Sequence, residues 1–322
     1  MRQSAGGRPS EKPSSERPSH WRFLLDPGRI EWEDGIRGPV SIDAGSVSDP
    51  VVRKEDGQWL YTFASSVDDG EMGVTDVVRG EDHVTNTGIQ VDIWAALGGR
   101  PDRVRFAHLP LLMDQEGGKL SKRFSSLTLR SLRHDGIEPV ALAGYIARLG
   151  TSDDPAPLPM DELAKSFALS HVSHSATRFD GRQLLSLNRR VLHALPFEAV
   201  RDRLPPGATA AFWNVVRSNL DLLGEARGWW DVVAGAIVPP MIEGEADYLR
   251  TALDALPPEP WDDAAWITWT NALRTATGRR GKPLFLPLRL ALTGEDHGPE
   301  MQALLPLIGR DRATARLRLA LG

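Results

Sequence analysis

The chain has 322 residues, of which 41% are hydrophobic and 25% charged, a composition typical of globular proteins with two or three packed domains. It contains no cysteine, which excludes disulfides, thiolate nucleophiles and cysteine-based zinc sites. No run approaches the roughly 18 apolar residues that a membrane-spanning helix needs, and the net charge of -5 argues against coating of nucleic acid by bulk electrostatics, although a local basic stripe can still contact phosphates. These features predict a cytoplasmic protein without membrane contact.

The N-terminal part is predicted to be a tail followed by β structure. Residues 1–19 are rich in Ser, Pro, Gly and Arg and show no aliphatic periodicity, which predicts a flexible tail. Residues 21–66 contain short alternating stretches, such as residues 58–63, between Asp-Gly turns. Alternation bounded by turn residues favours strands.

A βαβ unit is predicted next. Asp68, Asp69 and Gly70 are expected to form a turn before a strand at residues 73–78, with a helix at 84–97 and a second strand at 104–113. Such a unit implies parallel strands, a right-handed crossover and a ligand crevice at the carboxyl ends of the strands. The segment that begins at Arg79 is expected at that crevice.

The remainder is predicted to be helical, since apolar residues beyond Leu127 recur at helical spacing between Pro-rich breaks. The fold class is therefore α/β plus all-α. Trp229, Trp230 and the tryptophans of residues 261–269 are interpreted as packing residues, with base stacking as the alternative. Helices are expected at residues 141–149, 183–195, 211–223 and 264–276.

Two segments carry candidate chemistry. Gly117 and Gly118 lead a loop with three cations and a hydroxyl within five positions; a solvated turn is the ordinary interpretation, and a phosphate clamp is the functional one. Arg79 precedes Glu81 and Asp82. That pattern is usually a surface ion pair worth under about 1 kcal/mol, but at a crevice the planar fork of an arginine can hold a carboxylate.

Other candidates are weaker. Asp68 and Asp69 could be a catalytic carboxylate pair, but a turn after a strand is the favoured explanation. His171 and His174 have the spacing of metal ligands, but no further His or Cys stands nearby in the sequence. No metal site is predicted from them.

Several segments resemble one family. Residues 119–123 (KLSKR) resemble the KMSKS signature of class I aminoacyl-tRNA synthetases, and residues 34–40 (DGIRGPV), 77–86 (VVRGEDHVTN) and 107–110 (AHLP) resemble bacterial glutamyl-tRNA synthetases. Residues 278–294 are similar to the helical anticodon-binding region of bacterial members. The similarity runs in family order from about Trp21 to the end.

The resemblance implies a partial Rossmann-like parallel sheet with a β-rich remnant of the acceptor-binding insert, followed by stem-contact and helical anticodon-binding domains. The implied division is a tail at 1–19, the insert remnant at 20–60, the second half of the catalytic domain at 61–113, the KLSKR loop with the stem-contact helices at 114–195, and the anticodon-binding domain at 196–322.

The resemblance also implies residue roles. Tyr61, Ser65 and Arg79 would bind glutamate, with Arg79 on its side-chain carboxylate, although many members have Asn where this chain has Ser65. ATP, accompanied by Mg²⁺, would be bound by Lys119, Leu120, Ser121, Lys122 and Arg123.

Within that loop, Lys119 and Lys122 are the expected catalytic residues, and Lys122 would stabilise the α-phosphate during adenylate formation. In the C-terminal region, an ordinary solvated helix face is the alternative to tRNA binding. The expected tRNA-binding residues are Arg279, Arg280, Lys282 and Arg289.

The family's His-Ile-Gly-His signature does not occur in the sequence. The resemblance therefore implies a glutamate–tRNA ligase polypeptide, monomeric and incomplete at its N-terminal side, with negligible adenylation alone and a separate N-terminal half as a candidate partner. The alternative is a non-catalytic tRNA-binding module. The long helical region after Pro196 argues against a glutamyl-queuosine synthetase, and the helical tail against a glutaminyl enzyme.

Overall fold

The computed structural model describes residues 2–4, 20–114, 117–118 and 128–321. Contacts divide the chain into two compact units. The first comprises Met1–Ser125, Ala147–Pro155 and Asp161–Asp180, and the second Ser126–Ile146, Ala156–Met160 and Gly181–Gly322. The family-based division of the chain stays a prediction.

The first unit contains the strands, which form three sheets within the described residues. Of the predicted tail, the structure describes only residues 2–4, which pair antiparallel with the strand that begins at His20. The strands are β1 Arg2–Ser4, β2 His20–Arg22, β3 Arg29–Asp34, β4 Gly38–Asp43, β5 Val51–Arg53, β6 Asp76–Gly80, β7 Arg105–Leu109, β8 Leu112–Met113 and β9 Thr177–Arg178.

The largest sheet has the strand order β4-β3-β7-β6. β3 and β4 form an antiparallel hairpin, while β3 and β6 both run parallel to β7. The carboxyl ends of three strands therefore meet at one edge, and the register pairs Arg79 of β6 with His108 of β7. Asp34 ends β3 at the same edge.

The predicted βαβ unit is confirmed, with different boundaries. Its helix, α2, spans Val84–Ala96, and β6 begins at Asp76 rather than at residue 73. The second strand ends at Leu109, because Pro110 lacks the N–H that would extend the ladder. Residues 112–113 form the separate strand β8, which pairs with β9.

The predicted strand over residues 58–63 and the turn at Asp68 are wrong. Tyr61–Met72 forms a helix, α1, which ends at Gly73 in the left-handed conformation (φ 69°). Phe63 packs against a cluster that includes Ile89 and Ile93 of α2. Burial of one face against α2 overrides the local β propensity of residues 58–63.

The second unit is helical, and its core includes the fully buried Phe212, Trp213 and Trp269. The four predicted helices are confirmed as α4 (Pro139–Ile146), α6 (Gly181–Ala194), α8 (Ala210–Val216) and α11 (Ala265–Thr277), although α8 ends well before residue 223. The packing interpretation of the tryptophans is confirmed for Trp266 and Trp269, which are buried in this core. Beyond α2, the helices of the described chain are α3 Leu129–His134, α4 Pro139–Ile146, α5 Met160–Ser166, α6 Gly181–Ala194, α7 Phe197–Val200, α8 Ala210–Val216, α9 Ala226–Ala234, α10 Ala246–Asp254, α11 Ala265–Thr277, α12 Lys282–Thr293, α13 Met301–Ile308 and α14 Arg310–Leu321. Of these, α5 lies mainly in the first unit. Of the helices described, none has the length and apolar character needed to span a membrane.

Candidate active site

Arg79 lies at the edge of the sheet where the parallel strands end, and neutral groups hold its guanidinium. Nη2 donates to Thr87 Oγ1 and to Gln90 Oε1, both at 2.6 Å. Nη1 donates to the hydroxyl of Tyr61 at 3.2 Å, and Nε donates to Nε2 of His108 at 3.4 Å. Among the described residues, no carboxylate forms an ion pair with Arg79. Its positive charge is thus fixed in place and available to an anion.

The three residues predicted to bind glutamate lie in one hydrogen-bonded network. Tyr61 and Ser65 are four residues apart on α1, so they share a helix face. The amide of Gln90 connects this face to the arginine, since Nε2 donates to Ser65 Oγ at 2.7 Å while Oε1 accepts from Arg79. Tyr61 is 52% exposed, and its ring lies 5.5 Å from that of His83. The network therefore opens to solvent on the tyrosine side.

Thr87 and Gln90 also belong to the site, although neither was predicted from the sequence. Both are buried polar residues on α2, on the helix that also buries Ile89 and Ile93. Polar side chains on a buried face need hydrogen-bond partners. Their spacing of three residues on the inward face of a predicted helix was the signal that could have identified them.

A buried pair lies directly behind Arg79. Nδ1 of His108 is 2.5 Å from Oδ2 of Asp34, and neither side chain is exposed. Burial alone would raise the pKa of the Asp34 carboxyl, but hydrogen bonds from the His108 side chain and from three backbone N–H groups outweigh it and hold the pKa below its ordinary value. Asp34 is therefore a buried carboxylate anion. The sequence analysis assigned no role to either residue.

Asp68 and Asp69 lie in α1, so the turn that was expected to explain them is absent. Burial raises the pKa of the Asp69 carboxyl, the charge of Arg79 opposes this shift, and Asp68 adds to it. Asp69 lines a cleft of about 410 Å³ together with Trp94 and Arg103. The hydrogen-bond network of Arg79 does not include either aspartate, which leaves the carboxylate-pair hypothesis without support.

The glycine-led loop is described only at its start. Asp114 and Gly118 close a turn, since Asp114 N donates to Gly118 O at 2.8 Å and Gly118 N donates to Asp114 Oδ1 at 2.6 Å. Gly117 has a φ of 84°, and a Cβ at Gly118 would lie 2.8 Å from Asp114 Oδ2. Both glycines are therefore required by this turn. The predicted ATP-binding residues Lys119, Leu120, Ser121, Lys122 and Arg123 lie outside the described residues.

The two histidines with metal-ligand spacing do not share a site. His171 is exposed, while Nδ1 of His174 lies 3.0 Å from the carbonyl of Ile36. In the portion of the chain that the structure covers, no group of three or more His, Cys, Asp or Glu residues is arranged to hold a metal ion.

The predicted tRNA-binding residues of the second unit divide into two kinds. Arg279 forms an ion pair with Glu245 and lies over the ring of Tyr248 at 4.2 Å, and Arg289 donates to the carbonyl of Pro299 at 2.7 Å. Burial lowers the pKa of Arg289. These two guanidinium groups are engaged by the protein itself.

The other two, Arg280 and Lys282, are exposed. Neither forms a salt bridge with any residue in the described ranges. They are the cations of this group that remain accessible to a phosphate backbone.

Known proteins resemble this chain over most of its length. A family model described as the catalytic domain of class I tRNA synthetases (E and Q) matches residues 8–186, and an anticodon-binding domain model matches residues 241–321. A protein named glutamate–tRNA ligase 2 from Gluconacetobacter diazotrophicus is 59% identical over 301 residues, which cover 94% of this chain and 68% of that protein. A ligase of the same name from Gluconobacter oxydans is 56% identical, with the same coverage.

The fold is also similar to solved structures. A crystal structure of a glutamate tRNA ligase from Elizabethkingia meningosepticum, in complex with its amino acid, superposes with a TM-score of 0.79 at 25% identity. The similarity covers 95% of this chain and 68% of that one. This chain thus spans about two thirds of the length of the proteins that it matches.

Proposed function

The chain belongs to the class I tRNA synthetases of the glutamate and glutamine group, and from this membership we propose that it serves the ATP-dependent attachment of glutamate to tRNA. The observation that carries the proposal is Arg79, held by neutral acceptors at the sheet edge beside Tyr61 and Ser65. The comparisons do not favour the alternative of a non-catalytic tRNA-binding module.

The donors around Arg79 fit a carboxylate. Both N–H groups of Nη2 are used by Thr87 and Gln90, and Nη1 uses one of its two on Tyr61. One N–H of Nη1 and the hydroxyl proton of Tyr61 remain for a ligand. Two donors on a guanidinium that forms no ion pair with a described carboxylate match the two oxygens of a carboxylate. We propose that this pair binds the side chain of glutamate and disfavours the neutral amide of glutamine.

ATP binding is proposed for the loop that begins at Lys119. The Asp114–Gly118 turn supports this assignment, because it directs the chain into the loop from the end of β8. In this proposal Lys119, Ser121 and Lys122 would contact the phosphates, and Lys122 would stabilise the charge on the α-phosphate. Mg²⁺ bound with the nucleotide would supply further positive charge to the phosphates.

The tRNA contacts are proposed for Arg280 and Lys282 of the second unit, since both are exposed and carry no salt bridge to a described residue. We also propose that the chain is a monomer and that it acts in the cytoplasm, where translation takes place. Adenylation is proposed to require the family's His-Ile-Gly-His segment as well, which these 322 residues do not contain.

The test measures tRNA-dependent exchange between ATP and pyrophosphate with purified chain, L-glutamate and bulk bacterial tRNA, alongside direct tRNA binding. We expect tRNA binding with little exchange, and exchange when a polypeptide carrying the missing signature is added. Lys122→Ala should abolish that exchange, while the control Lys165→Ala, at an exposed lysine near Asp161, should not.

Three outcomes would contradict the proposal in different ways. Exchange by the chain alone, abolished by Lys122→Ala, would show that its own residues suffice for adenylation. Absence of tRNA binding would contradict the ligase function itself, and tRNA binding without exchange under any condition would favour the binding module.

A further inference from the structure

The buried Asp34–His108 pair joins two strands that are far apart in sequence. Asp34 ends β3 and His108 lies on β7, 74 residues later. The carboxylate accepts four hydrogen bonds, from His108 Nδ1 at 2.5 Å and from the backbone N–H groups of Ile36, Arg37 and His108 at 3.0–3.1 Å. A buried carboxylate is costly unless its oxygens are satisfied. Here they are, so the anion is a stable part of the fold.

The hydrogen bonds that connect this pair to Arg79 have one direction. Nε of Arg79 can only donate, so Nε2 of His108, 3.4 Å away, is the acceptor. Nδ1 of His108 must then carry the proton that is donated to Asp34. The hydroxyl of Thr87 accepts from Arg79 Nη2 at 2.6 Å. It lies 2.9 Å from Nε2 of His108 and 3.3 Å from the carbonyl oxygen of His83, the two acceptors within reach of its single proton. Along the direct path, the protons on Arg79 Nε and His108 Nδ1 both point from the arginine towards Asp34.

From this directed chain we propose that Asp34 and His108 are positioning residues that hold the guanidinium of Arg79 in the orientation that binds the carboxylate of glutamate. Asp34 selects the histidine tautomer with the proton on Nδ1, and that tautomer presents a lone pair to Arg79. A flexible arginine that is fixed before the ligand arrives loses less conformational entropy on binding. The inference rests on the proposed glutamate pocket and adds two residues behind it.

A purely structural role is the competing explanation, because the pair also fastens β3 to β7. The two explanations differ in what a change of hydrogen-bond direction does. A purely structural role needs only a hydrogen bond between the side chains of residues 34 and 108, whichever of the two donates. A positioning role needs the lone pair on Nε2 of His108 to face Arg79.

Asp34→Asn separates these explanations. The amide is nearly isosteric, and its oxygen can still accept from the backbone N–H groups. Its nitrogen, however, donates to Nδ1 of His108 and so moves the histidine proton to Nε2, where an N–H faces the Nε–H of Arg79. Asp76→Asn is the matched control, since it makes the same change at an exposed ion pair on the strand of Arg79.

Two measurements on the full chain are needed. Nitrogen-15 NMR of the His108 ring and of the Arg79 Nε–H group reports the tautomer and the order of the guanidinium without any ligand. A titration with L-glutamate reports binding. We expect Asp34→Asn to invert the tautomer, to shift or broaden the Arg79 signal, and to weaken glutamate binding by about tenfold or more, whereas Asp76→Asn leaves all three unchanged.

A second pair of variants covers the case in which Asp34→Asn does not fold. Thr87→Val removes the hydroxyl between Arg79 and His108, and Thr87→Ser retains it. Weakened glutamate binding in the valine variant, restored in the serine variant, supports the directed chain. Equal binding by both would contradict it.

The outcomes keep this inference apart from the proposed function. If Asp34→Asn inverts the tautomer and glutamate binds as before, the Asp34–His108 pair only holds β3 to β7, and the inference is wrong. If the unmodified chain shows no glutamate binding, the proposed pocket is wrong. The Arg79 Nε–H signal then decides by itself whether Asp34 and His108 hold the guanidinium.

Discussion

Arginines lie at central positions in both units, but their surroundings differ. Arg79 in the first unit is half-buried and donates to a hydroxyl, a phenol, an amide and an imidazole, all of them neutral. In the second unit, Arg279 is paired with Glu245. Arg316, which is 3% exposed, donates to the carbonyls of Leu292 at 2.7 Å and Gly235 at 3.1 Å.

These arginines differ in whether their positive charge and N–H donors remain accessible to a ligand. Arg279 has its charge balanced by a carboxylate, and Arg316 has no access to solvent. Arg316 satisfies backbone carbonyls at the C-terminal ends of α12 and α9, where helices leave acceptors without partners. Arg79 instead lies at an open edge and forms no direct ion pair with a described carboxylate, although its charge acts on Asp69. Neutral acceptors fix an arginine without forming an ion pair with it, and we expect this difference to distinguish the proposed binding arginine from the structural ones.

The largest effect is expected for Arg79→Gln, which removes the charge and retains a polar side chain. Because no other described cation is placed beside Tyr61 and Ser65, L-glutamate affinity should fall by about 100-fold or more, roughly 3 kcal/mol. Calorimetric or NMR titration of the purified variant measures it. Arg105→Gln, at an exposed arginine on the neighbouring strand, is the control, and an equal loss in both variants would break the comparison.

A loss of stability rather than of binding is expected for Arg316→Met. Two buried carbonyls lose their donor, and the unfolding free energy should fall by about 2–4 kcal/mol. Burial lowers the pKa of Arg316 to about 10, so the cost of burying its charge is present at neutral pH and is relieved only as the pH rises above that value; the variant recovers part of this cost.

Denaturant unfolding measures this prediction. Arg318→Met, at an exposed arginine of the same helix, should change the unfolding free energy by less than about 0.5 kcal/mol. An Arg316→Met variant as stable as the unmodified chain would mean that the hydrogen bonds to the two helix ends contribute nothing beyond the cost of the buried charge.

The smallest effect is expected at the exposed cations. Replacing both Arg280 and Lys282 with Ala should reduce the slope of log affinity for tRNA against log salt by about one unit per lost phosphate contact. Arg279→Ala should instead lower the stability, by about 1 kcal/mol, because it removes an ion pair and a cation–π contact with Tyr248. Binding measured at several salt concentrations tests both, and an unchanged slope in the double variant would contradict the assignment.

Much of the first unit followed from local patterns. The strand, helix and strand around Arg79 were predictable because residues 84–97 combine helical spacing with a glycine stop, and because the flanking segments are apolar and short. The helix α1 was not. Its first residues alternate like a strand, and tertiary contacts with α2, such as the packing of Phe63 and the hydrogen bond from Gln90 to Ser65, stabilise the helix.

The candidate site shows the same division. Resemblance to a family identified Tyr61, Ser65 and Arg79, which the fold brings together through Gln90. Nothing in the sequence indicated that Gln90 would bridge them. The bridge depends on how α1 lies against α2, which is a matter of packing between two elements and not of the pattern within either.

By itself, the sequence determined the class of the fold, the helical nature of the second unit and the identity of the arginine at the strand end, since periodicity and spacing are local properties of the chain. The tertiary structure alone decided which of these arginines forms an ion pair with a carboxylate and which donates only to neutral acceptors. Asp34 meets His108 only because β3 joins β7 across 74 residues. Such long-range pairings are selected by the burial and hydrogen bonding of the whole sheet, and they leave no signature in any one segment.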